Sequence, residues 1–78
     1  MVSAYVFIKV QAGKIKDAIQ AISKIEGVKS VHACWGQPGD LIAFVEAADH
    51  KALADLVLAK IHGIDGITET NTRIVVEV

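Results

Sequence analysis

The chain is short of several things. It has one cysteine, Cys34, so no disulfide framework holds it together. Its 8 Lys+Arg against 9 Asp+Glu leave a net charge of −1, which argues against an electrostatic DNA binder or a binder of anionic membranes. No apolar run, Leu41 to Val45 included, approaches the ~18 residues that suggest a membrane-spanning helix. Met1 is followed at once by alternating residues rather than by a basic region and a continuous apolar stretch, so no targeting segment is predicted. A cytoplasmic protein with a reduced thiol is the expectation. What is present is 78 residues, expected to form one domain over 1–78, of which 53% are apolar. That fraction exceeds the usual ~45–50%. A chain this small buries only about 60% of its unfolded surface. The surplus therefore points to a second buried surface, most simply another subunit.

Val2 to Val10 alternates, with Val2, Ala4, Val6, Ile8 and Val10 on one face and Ser3, Tyr5, Phe7 and Lys9 on the other. Period two predicts a strand. After Gly13, the residues Ile15, Ala18, Ile19, Ile22 and Ile25 recur at helical spacing as one apolar stripe. Gly27 suits a left-handed cap. Val28 to Trp35 predicts a second strand and Leu41 to Ala47 a third, joined as an antiparallel hairpin across the turn-forming Gly36-Gln37-Pro38-Gly39-Asp40. Asp49 is the expected N-cap of a second helix burying Leu53, Leu56, Val57 and Ile61. Ile67 to Val78 predicts the last strand. Ile25-Glu26-Gly27-Val28 recurs as Ile64-Asp65-Gly66-Ile67, each tetrad joining a helix to a strand. Two such halves in the order βαββαβ predict an α+β, ferredoxin-like sandwich: a four-stranded antiparallel sheet with both helices on one face.

The uncovered face would then carry Tyr5, Phe7, Ile42 and Phe44. Burying such side chains is worth roughly 1.5–3 kcal/mol each, and an apolar patch of this kind marks an interface. Two stacked sheets, a dimer of the α+β barrel type, are expected.

Chemistry is sparse. His32 and Cys34 share a strand face, but no further ligands stand at zinc spacing, and no C-x-x-C is present, so no metal site is predicted. His50 and His62 lie twelve residues apart, too far to pair locally. Cys34 beside His32 lacks a third, orienting group. The sole arginine, Arg73, stands in the last strand, which excludes an acylphosphatase-like anion loop, and the basic neighbours of Tyr5 and Phe7 are too few for RNA binding. No catalytic residue and no cofactor are expected. What remains is the hairpin turn, with its backbone N–H groups and the Asp40 carboxylate, and Thr70 and Thr72, whose hydroxyls point to one side of the sheet. Asp40 suits a local turn cap equally well, and threonine is in any case a good strand former. Together these groups could hold a small zwitterion, acid to ammonium and hydroxyls and amides to carboxylate.

Three stretches taken together resemble the effector-binding (RAM) domain of the Lrp/AsnC family. They are the opening strand and helix ending in Ile25-Glu26-Gly27-Val28, the hairpin and strand Gly36-Gln37-Pro38-Gly39-Asp40-Leu41-Ile42-Ala43, and the closing Gly66-Ile67-Thr68-Glu69-Thr70-Asn71-Thr72. The resemblance implies a ferredoxin-like domain that dimerises through its sheets. Dimers would assemble into rings such as octamers, with amino acids bound between neighbouring dimers. By position it nominates Gly36, Gly39 and Asp40 in the hairpin and Thr70 and Thr72 in the last strand as ligand-binding. The turn departs from the family pattern: three residues, not two, separate Gly36 from Asp40, and Pro38-Gly39 replaces an aromatic position. The chain starts at the first strand of that domain, so the resemblance is to a stand-alone form without the helix-turn-helix, with no direct DNA binding. It implies a non-enzymatic amino-acid-binding regulatory module, able to join full-length relatives. Two alternatives are a small dimeric α+β barrel enzyme, with His32 as its catalytic candidate, and a scaffold that assembles without ligand.

Overall fold

The computed structural model describes residues 1–36 and 40–77. Its elements are β1 (Val2–Val10), α1 (Ile15–Ser23), β2 (Val28–Ala33), β3 (Leu41–Ala47), α2 (His50–Asp55), continued by a π-helical segment (Leu56–Ile61), and β4 (Ile67–Ile74). The sheet order is β2-β3-β1-β4, and every neighbouring pair is antiparallel. This is the ferredoxin-like βαββαβ arrangement predicted from the periodicity.

The helix-facing side of the sheet follows the alternation. Ala4, Val6, Ile8 and Val10 of β1 and Leu41, Ala43 and Val45 of β3 are buried against Ala18 and Ile22 of α1 and Leu53, Leu56, Val57 and Ile61 of the second helical segment. Truncating a fully buried residue such as Ile22 to Ala costs about 2–5 kcal/mol. Asp49 caps α2 as expected, its carboxylate accepting from the Ala52 N–H at 2.8 Å.

The repeated tetrads build the same turn twice. Ile25 N–H donates to the Ile22 carbonyl (3.0 Å) and Ile64 N–H to that of Ile61 (3.1 Å); Val28 then donates to Ile25 (3.1 Å) and Ile67 to Ile64 (3.3 Å). Gly27 (φ +99°) and Gly66 (φ +95°) take the left-handed conformation that lets each helix exit into a strand. At Gly27 space matters too: a Cβ there would stand 2.6 Å from Leu56 Cδ1 and 2.9 Å from the Glu46 carbonyl oxygen.

Two strand boundaries and the regularity of one helix differ from the sequence reading. β2 ends at Ala33, two residues before Trp35, which is fully exposed, because β3 starts at Leu41 opposite Ala33. The last rung is the Cys34 N–H to the Asp40 carbonyl, 2.8 Å. β4 ends at Ile74 rather than Val78: Ile74 pairs with Ala4, Val75 N–H bonds the Ser3 carbonyl at 2.9 Å, and in that register β1, which starts at Val2, offers no partner beyond residue 76. The second helix is not regular throughout. Its latter half widens so that His62 N–H reaches the Val57 carbonyl five residues back, at 3.1 Å.

Candidate functional site

The open sheet face carries the four residues expected there. Tyr5 lies opposite Phe44 and Phe7 opposite Ile42, giving a compact two-by-two patch at the centre of the face. The Tyr5 and Phe44 rings are 5.0 Å apart at a tilt of 47°, and the Arg73 guanidinium carbon lies 5.8 Å from the centroid of Phe7. Tyr5 is 45% exposed, whereas Phe7, Ile42 and Phe44 are half-buried, so each retains apolar surface facing outward. Polar groups rim the patch: Ser3 with Glu46 at one end, Lys9 opposite Glu69 at the other, and Ser30 and His32 on β2. His32 is exposed beside Ile42 and lines neither of the clefts described below.

The hairpin candidates lie at the end of the sheet where β1 finishes. Gly36 has φ +111°, a backbone that requires glycine although a Cβ would meet nothing nearby. Asp40 N–H donates to the Ile8 carbonyl (2.9 Å), and its carboxylate accepts the Val10 N–H (3.0 Å). That acceptance falls where the β1–β4 register shifts, between Lys9 and Val10. The carboxylate therefore ties the hairpin across to β1. Gly39 lies outside the described residues.

Thr70 pairs with Ile8 and Thr72 with Val6, so both hydroxyls share one side of the sheet, as their alternation predicts, and that side is the helix side. The Thr70 hydroxyl is 2.7 Å from Nε2 of His62, the C-cap residue of the π-helical segment. Thr72 lines a cleft of about 210 Å³ with His50, Leu53, Val57, Leu58 and Ile74. The two histidines thus flank the two threonines. The sequence reading missed this, since it weighed His50 and His62 only against each other.

Within one chain these groups do not converge. β1 lies between β3 and β4, so the hairpin carboxylate and the threonines are separated by two strand spacings, about 9–10 Å. By alternation from Ile42, Asp40 also has the parity of the open face, opposite to Thr70 and Thr72. A second cleft, about 540 Å³, occupies the other end of the sheet, where Met1, Gly27 and Ala47 meet Leu56. Its walls carry Glu26, Lys29, Glu46, Asp55 and Lys60, with Lys29 and Glu46 3.9 Å apart. Among the described residues, none of those nominated lines it.

Elsewhere, Lys14 donates to Asp65 at 3.0 Å, joining the turn after β1 to the second tetrad. The hydrogen bond and the charge of Asp65 raise the Lys14 pKa above the usual lysine value. Among the described residues no group of three or more His, Cys, Asp or Glu is arranged to hold a metal ion, and no helix is long and apolar enough to cross a membrane.

Comparison with known proteins fits this architecture. TTHA0845 of Thermus thermophilus is 28% identical and superposes with a TM-score of 0.93, over 100% of this chain and 96% of that one. AsnC of E. coli shares the fold at 23% identity (TM-score 0.91), matching 99% of this chain but 52% of AsnC. The transcriptional regulator NMB0573 of Neisseria meningitidis, solved as an L-Met complex, shares it at 19% identity (TM-score 0.88), over 97% of this chain and 50% of its own. The chain thus spans about half the length of these two regulators. No curated protein matches by sequence. The profile of the Lrp/AsnC ligand binding domain matches residues 3–78, and the chain belongs to that family.

Proposed function

We propose that this chain is a non-enzymatic, cytoplasmic regulatory module that binds an amino acid between subunits and works as dimers assembled into rings. The observation that carries this reading is the layout of the nominated groups. Asp40 and Gly36 lie at one place in a chain, Thr70 and Thr72 at another, and β1 separates them. A neighbouring subunit that sets its threonines beside this hairpin would complete a site with a carboxylate for the ammonium and hydroxyls for the carboxylate of a zwitterion. The L-Met complex of NMB0573 supports an α-amino acid as the ligand class. Dimerisation through Tyr5, Phe7, Ile42 and Phe44 would bring the two sheets together. An effector that binds one assembly state better than another shifts the population toward it, and matching domains of full-length relatives offer a route to transcription.

Calorimetry of the assembled protein against each of the twenty amino acids tests this. Saturable binding at one site per subunit or per subunit pair is expected. Absence of binding at millimolar concentration would overturn it.

One observation favours a second reading, a scaffold that assembles without ligand: the Asp40 carboxylate and the Thr70 hydroxyl already have partners within the chain, Val10 and His62. Light scattering with and without an amino-acid mixture separates the two, because a scaffold keeps one mass in both.

A further inference from the structure

Thr70 is not an isolated hydroxyl. It is half-buried on the helix side of β4, and the imidazole Nε2 of His62 stands 2.7 Å from its oxygen. The contact is built by local geometry. The π-helical segment ends at Ile61 with His62 as its C-cap, the turn through Gly66 reverses the chain, and β4 returns residue 70 beneath residue 62. In the first copy of the tetrad the same offsets fall on Ser23 and Val31, which cannot make such a pair.

A hydroxyl has one hydrogen to give and two lone pairs to receive with. If Nε2 is bare, Thr70 spends its hydrogen on the ring and can only accept from a ligand. If Nε2 carries the hydrogen, the ring donates to Thr70, and the hydroxyl hydrogen is released to donate onward. We infer that His62 is the positioning residue of the effector site, donating from Nε2 to Thr70 so that the threonine hydroxyl donates to the carboxylate of a bound amino acid. This rests on the effector reading above. It makes Thr70 a reader of the acid end of the ligand, leaving the amino end to Asp40.

Two measurements test it. In the ligand-free protein, nitrogen NMR of the His62 ring should show the hydrogen on Nε2, and Thr70→Val should shift that resonance; a ring with bare Nε2 overturns the inference whatever the protein binds. Binding of each of the twenty amino acids is then measured for wild type, His62→Leu, His62→Gln and Thr70→Val, with circular dichroism confirming the fold. His62→Leu and Thr70→Val should each weaken the tightest-binding amino acid by about ten-fold, the size of one hydrogen bond to a charged group, and the double variant should lose little more. His62→Gln, whose amide can donate in place of Nε2, should recover most of the loss. Wild type and His62→Leu binding alike would overturn this inference alone. Wild type binding none of the twenty would overturn the effector reading and this inference with it.

Discussion

The Asp40 carboxylate accepts the backbone N–H of Val10 across the sheet at 3.0 Å. Asp40 is thus a structural clasp between β3 and β1 as well as a candidate ligand group. Removing it altogether would strand the Val10 N–H, at a cost of about 1–3 kcal/mol. Asp40→Ala should therefore lower the melting temperature by several degrees, given ~4–8 °C per kcal/mol for a chain of this size. Asp40→Asn keeps an accepting oxygen and should melt within a few degrees of wild type while losing affinity for the ammonium end of an amino acid. Thermal denaturation of both variants beside calorimetry separates the two roles.

Gly27 should not tolerate a side chain. Its φ of +99° and the 2.6 Å approach of Leu56 Cδ1 to a Cβ combine strain with overpacking. Gly27→Ala should destabilise the fold by about 1–3 kcal/mol, read as a lower urea midpoint with unchanged slope. At Gly36, where a Cβ meets nothing, Gly36→Ala should suffer only the backbone strain, about 1 kcal/mol.

Lys14 and Asp65 form an exposed pair, and their effect should be seen in titration more than in stability. The folded-state Lys14 pKa lies above its usual 10.5, so the stabilisation is fully present below that value and is lost as pH rises through the raised one. Proton NMR of the Lys14 ε-methylene should show a higher midpoint in wild type than in Asp65→Asn. Salt should narrow the gap. Equal midpoints at low salt would contradict the pairing.

Most of the scaffold was legible because burial imposes a period. Every second residue of Val2–Val10 had to face the helices, and Leu53, Leu56, Val57 and Ile61 had to share a stripe. The duplicated tetrad was legible because only glycine takes φ near +95° comfortably. Strand ends were not: Trp35 continues the alternation of β2, but a strand stops where its partner stops, and that is a property of register. Nor could the π-helical widening be read, since Leu56–Ile61 has the same apolar spacing either way. For the candidate site, the sequence supplied the residue types and the fact that the Thr70 and Thr72 hydroxyls share a side, while which side that is follows from the register with β1. The Asp40–Val10 and His62–Thr70 contacts depend on how the sheet and the π-helical turn align, and no local pattern encodes them.

The apolar patch carries the largest consequence. Tyr5, Phe7, Ile42 and Phe44 hold partly exposed apolar surface at the centre of one sheet face, where each further buried Å² contributes about 25 cal/mol. A charge placed there would have to be desolvated on stacking. Phe7→Glu, whose site faces away from the helices, should leave the monomer fold intact by circular dichroism and abolish self-association.

Sedimentation equilibrium of the wild-type protein at micromolar concentration tests the central claim most directly. The account predicts a mass that is an even multiple of 8.3 kDa, falling to the single-chain value in Phe7→Glu. A folded wild-type species of 8.3 kDa would contradict it, since the open face would then stand in water and no second subunit would complete the site.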